Sequence, residues 1–70
     1  MATFNFGLQV SCKKSKDKGI LYHVLEADFG YRVATLTMEK DVISEVLGLP
    51  ISALYSMKEG DVIKVGTRNA

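Results

Sequence analysis

Phe4-Asn5-Phe6-Gly7-Leu8-Gln9-Val10-Ser11-Cys12 is the stretch on which the fold turns. Phe4, Phe6, Leu8, Val10 and Cys12 alternate with Asn5, Gly7, Gln9 and Ser11. Successive side chains of a strand point to opposite faces, so this period of two predicts a strand with one buried face. Lys13 to Gly19 is polar and ends in Asp17-Lys18-Gly19, a turn with a glycine available for positive φ. Ile20 to Ala27 is rich in strand formers and apolar on both faces. Residues 4–27 therefore read as a long hairpin with a lysine-rich tip. Asp28-Phe29-Gly30 makes a second turn and Tyr31 to Thr37 a third strand, which completes a meander.

Beyond Thr37 the period changes. Met38, Val42 and Val46 recur every four residues, with Ile43 and Leu47 beside them, the apolar stripe of an amphipathic helix. Thr37 is placed to cap it, and Glu39 and Asp41 suit the positive end of its dipole. Gly48 stops it, and Pro50 opens a second short helical turn in which Ile51, Leu54 and Tyr55 share a face. Lys58-Glu59-Gly60-Asp61 is a turn, Val62 to Val65 a last strand, and residues 66–70 a frayed polar tail. The order β-β-β-α-(α)-β predicts a β-rich α+β fold over a single domain, residues 1–70. Its sheet is expected to be small and curved, or a partly open OB-like barrel.

Length and composition bound the rest. At 70 residues a domain buries only about 60% of the surface its unfolded chain exposes. Small domains compensate with disulfides, metals or partner subunits. The single cysteine, Cys12, and single histidine, His23, leave no disulfide framework and no zinc cluster. Self-association, most simply a two-fold dimer, is the expectation that remains. The apolar fraction of 47% belongs to a folded chain. No apolar run is long enough to span a bilayer, and the N-terminus lacks the pattern of a signal peptide. With an unpaired thiol, these features predict a cytoplasmic protein. The net charge of +1 advertises no polyanion. Locally, however, Lys13, Lys14, Lys16 and Lys18 crowd the first turn.

Catalysis requires groups held together with matched proton affinities. His23 sits in mid-strand between apolar neighbours, where a histidine is usually structural, and Cys12 lies on an apolar strand face, where thiols pack inertly. A Cys12–His23 pair across the hairpin is conceivable, but nothing in the sequence would orient the imidazole. The carboxylates are scattered and no glycine-rich phosphate cradle occurs. The chain reads as a non-enzyme with no cofactor and no metal.

Lysines at a hairpin tip beside aromatic rings suit single-stranded nucleic acid. Ammonium groups neutralise phosphates, and exposed rings stack on bases without demanding a sequence. The candidate contacts are Lys13, Lys14, Lys16, Lys18 and Arg32, with Tyr22, Phe29 and Tyr31. Against this stands the plain reading, in which the lysine-rich tip is a solvated turn or a guarded edge and the rings are core. Lys18-Gly19-Ile20-Leu21-Tyr22-His23-Val24-Leu25, then Asp28-Phe29-Gly30 and Val33-Ala34-Thr35-Leu36-Thr37, resembles the single-stranded-DNA-binding proteins of filamentous phages. The resemblance covers residues 4–37. It implies an OB-like dimer that binds single strands cooperatively, with Tyr22 as the loop ring that stacks on a base. Arginines are scarcer here than in that family, Ile20 stands where a basic residue follows the glycine, and the helical second half has no counterpart.

Two resemblances compete in the second half. Glu45-Val46-Leu47-Gly48-Leu49 and Lys58-Glu59-Gly60-Asp61-Val62-Ile63-Lys64-Val65 resemble the swapped-hairpin transcription regulators of the AbrB type, although residues 50–57 are an insertion relative to that pattern. Ser44, Gly48 and Leu54 match helix-turn-helix spacing, but Ser52 to Met57 offers no basic or amide side chain to read a major groove. The rival from a different class is a protein-interaction module. In that reading the sheet face bearing Tyr22, Val24 and Tyr31, or an unpaired edge strand, docks a partner. Such a module fits an accessory protein of a phage or mobile element.

Overall fold

The opening alternation is realised as strand β1 (Asn5–Lys14). The computed structural model describes the backbone of residues 5–69 and the side chains of residues 7–65. Phe4 and the side chain of Phe6 lie outside them. β1 pairs on one side with β2 (Leu21–Asp28) and on the other with β4 (Val62–Asn69), while β3 (Val33–Thr37) flanks β2. The result is an open four-stranded sheet in the order β3-β2-β1-β4, with every neighbouring pair antiparallel. Two short helices, α1 (Lys40–Leu47) and α2 (Ile51–Tyr55), complete a small β-rich α+β fold.

Register assigns the faces. Across the β1–β2 ladder Leu8, Val10 and Cys12 stand opposite Ala27, Leu25 and His23. These residues are buried and join Ile43 and Leu47 of α1, Leu54 of α2 and Met57 in one layer between sheet and helices. Phe29, Leu49, Ile63 and Val65 pack around its margin. The helices lie on this face because one stripe of each is apolar and the sheet supplies a complementary apolar surface. Ile43 and Leu54 are wholly buried, so truncating either to alanine is worth about 2–5 kcal/mol.

Several boundaries differ from the sequence expectation, each for a local reason. The lysines Lys13 and Lys14 belong to β1, because the ladder with β2 continues to Lys14 and Leu21 and the turn closes only at Ser15 and Ile20. Gly19 takes φ +65° there, as the turn requires. The helix starts at Lys40 rather than at Met38. Thr37 remains paired with Leu25 in the sheet, and its Oγ1 accepts the Glu39 N–H instead of capping a helix. Met38 is consequently exposed outside α1, and the helix buries Ile43 and Leu47 while Val42 and Val46 face outward. In α2 only Leu54 of the expected face is buried, and Ile51 and Tyr55 are exposed. Gly48 ends α1 in the left-handed conformation, as its position predicts. Its N–H and that of Leu49 both reach the Ser44 carbonyl, and Ser44 Oγ donates to the Leu49 carbonyl. The last strand runs on to Asn69, past the Val65 end that its apolar residues predict, with Thr67 and Arg68 aligned on Gly7 and Phe6.

Candidate nucleic-acid interface

The sequence-predicted contacts separate into two groups at opposite ends of β2. Lys13, Lys14, Lys16 and Lys18 are exposed around the β1–β2 turn, and Tyr22, half-buried, lies at the same end. Phe29, Tyr31 and Arg32 occupy the β2–β3 turn at the far end of this eight-residue strand. At about 3.3 Å per residue that is a separation of roughly 25 Å. The eight side chains do not form one constellation.

At the hairpin end the Ser15 N–H donates to the Ile20 carbonyl, and the Gly19 N–H donates back to the Ser15 carbonyl. Ser15 Oγ also accepts the Lys18 N–H. These bonds close the turn, and Lys14, Lys16 and Lys18 are exposed around it. Beside it lies an open depression of about 450 Å³ lined by Ser15, Lys16, Asp17, Tyr22 and Met38. This volume falls within the range of small-ligand sites. Its wall combines a tyrosine side chain, a thioether, the Lys16 ammonium group and the Asp17 carboxylate, which suits a flat, polar ring.

Lys13 differs from its neighbours. Its Nζ lies 3.3 Å from Glu26 Oε2, so its charge is already met. Glu26 also accepts hydrogen bonds from Ser11 Oγ and, at 3.1 Å, from Gln9 Nε2. The four residues share the sheet face opposite the helices, since Gln9 stands across from Glu26 and Lys13 across from Tyr22. Glu26 is only 6% exposed. Burial pushes its carboxyl up, but the bonds from Ser11, Gln9 and Lys13 outweigh it and hold the group below its ordinary value. Sequence reading missed this cluster. The signal was the single charge within Ile20 to Ala27, but its partners are defined only by register.

At the far end Phe29 packs against the core, and the Arg32 guanidinium stands 5.7 Å over its ring. The Phe29 N–H donates to the Arg32 carbonyl, and Asp28 Oδ1 accepts the Gly30 N–H. Phe29 is thus engaged in the turn, whereas Tyr31 is 81% exposed.

Cys12 and His23 are register partners on the helix-covered face. The imidazole is oriented after all, by a bond to the main chain of α2. Nε2 lies 2.5 Å from the Leu54 carbonyl oxygen and donates to it, tying α2 to the sheet. Nδ1 is buried and has no partner among the described residues. The Cys12 thiol is buried, and burial, with Asp61 and Glu59 nearby, pushes its pKa up. An activated nucleophile needs the opposite shift. Among the described residues no three His, Cys, Asp or Glu side chains gather as a metal site, and no helix is long and apolar enough to cross a membrane. Comparison of the chain with protein families, curated proteins and solved structures finds no match.

Proposed function

We propose that this chain is a non-catalytic binding protein of the cytoplasm that holds single-stranded nucleic acid at the end of its first hairpin. One observation carries the reading: the depression walled by Tyr22 and Met38 opens beside Lys16, with Lys14 and Lys18 exposed on the same turn. A base stacked on Tyr22 there leaves its flanking phosphates among three ammonium groups. Such a stack contributes about 1–3 kcal/mol. Lys13 acts mainly as the clamp on Glu26, and Phe29, Tyr31 and Arg32 stand apart from this contact. The OB-like reading belongs to the same proposal. β1 is paired on both sides and shifts register between Gly7 and Gln9, the kind of irregularity by which such a sheet begins to curl around a strand.

The test is fluorescence anisotropy of a labelled oligo-dT at two salt concentrations. With three phosphates neutralised, affinity is expected to fall roughly 20-fold between 50 and 200 mM salt. Lys16→Ala with Tyr22→Ala is expected to abolish binding, while Tyr31→Ala with Arg32→Ala leaves it unchanged. Absence of binding at low salt overturns the proposal. A protein-interaction reading is favoured by a separate observation, the exposed apolar side chains along β3. The swapped-hairpin and helix-turn-helix readings gain no observation of their own, since α2 has five residues and none is basic or an amide.

A further inference from the structure

We infer that β3 is the interface of a symmetric dimer, in which it pairs antiparallel with β3 of a second copy and joins the two sheets into one. This interface lies along the free edge of β3 and uses none of the hairpin lysines; Met38, which also walls the depression beside Tyr22, is the one residue the two readings share.

Among the described residues β3 and β4 are the outer strands of the sheet, and each leaves a row of backbone N–H and C=O groups without a neighbouring strand there. Natural edges are commonly guarded by charge. β4 carries Lys64 and Arg68, whereas β3, Val33-Ala34-Thr35-Leu36-Thr37, carries none. Val33 and Leu36 are exposed on it, and Met38 just beyond it. Among the described residues eleven large hydrophobic side chains are exposed against ten hydrophobic side chains buried. For a chain of 70 residues, whose core is marginal by size, that balance calls for a partner.

The flanks identify the partner as a second copy. The uncharged strand is preceded by Arg32 and followed by Glu39. An antiparallel pairing about a two-fold axis between Thr35 and Leu36 brings Val33 of each copy against Met38 of the other. It also brings Arg32 against Glu39, so opposite charges meet at both ends of the seam. Both side chains are exposed in the single chain. The register shift in β3 makes this possible. Thr37 pairs with Leu25 and Thr35 with Glu26, so Leu36 is the extra, unpaired residue. In an unbroken strand Val33 and Met38, five positions apart, would point to opposite faces; the bulge returns them to the same one. A foreign strand gives no reason for this sign pattern, whereas a two-fold axis requires a strand whose two ends are complementary.

Sedimentation equilibrium at high micromolar concentration tests the inference. The expected mass is twice the 7.7 kDa of the chain. Val33→Lys with Leu36→Lys is expected to give a folded monomer, its circular dichroism unchanged because both side chains are exposed. Arg32→Glu alone and Glu39→Arg alone each place like charges at both ends and are expected to weaken the dimer about tenfold or more. An equimolar mixture of those two variants restores opposite charges and is expected to regain the dimer. A monomeric wild type overturns the inference, and so does a dimer indifferent to these substitutions. Lys16→Ala keeps the two readings distinguishable, since it lies outside the seam and is expected to lower oligo-dT affinity while leaving the dimer mass unchanged.

Discussion

Glu26 shows how much a single residue can gather. One carboxylate on a sheet face accepts bonds from Ser11, Gln9 and Lys13 and stays ionised although it is buried. Its folded-state pKa is depressed, so its contribution to stability is present above the unfolded value of about 4.3 and is lost as pH falls through the folded value. Glu26→Gln is therefore expected to cost about 1–3 kcal/mol at neutral pH. Urea unfolding curves of variant and wild type should then converge in acid. An equal gap at every pH would mean that the charge contributes nothing. Cys12 has the opposite sign. Its raised pKa favours the neutral thiol in the folded state, a contribution present below about pH 8.5 and lost as pH rises through the folded value. At pH 8 a disulfide reagent is expected to label the native thiol far more slowly than the urea-unfolded one; equal rates would contradict its burial.

At the scale of elements, the sequence was most legible where one periodicity held without competition. The alternation through Leu8, Val10 and Cys12 marks the core face of β1, and Gly48 marks the end of α1. Gly48 lies at φ +68° with nothing within 4 Å of a would-be Cβ. Gly48→Ala thus meets conformational strain alone and is expected to cost about 1–2 kcal/mol in thermal unfolding. A neutral effect would mean that the turn can rearrange. Legibility failed where two patterns overlapped. Met38 continues the helical spacing of Val42 and Val46, but Thr37 before it is held by β2, so the sheet won and the helix began two residues later. Strand β2 was illegible in its facing because both faces are apolar in sequence. Only the ladder with β1 shows that His23, Leu25 and Ala27 turn to the helices while Tyr22, Val24 and Glu26 turn away.

For the whole molecule, the sheet places its features at separate margins: lysines and Tyr22 at one end, Tyr31 and Arg32 at the other, and an uncharged strand along one side. Sequence proximity had joined the eight candidate contacts into one site, because composition carries no information on the length of β2 between them. Lys14, Lys16, Lys18 and Tyr22 lie together at the hairpin end, and Phe29, Tyr31 and Arg32 lie at the other end of β2. The most direct measurement is a two-dimensional amide NMR titration of the labelled protein with oligo-dT. Binding at the hairpin predicts shifts confined to Lys13 through Tyr22 and to Met38, with Tyr31 and Arg32 unmoved. Shifts centred on the β2–β3 turn or on β3, or no shifts at saturating oligonucleotide, would contradict it.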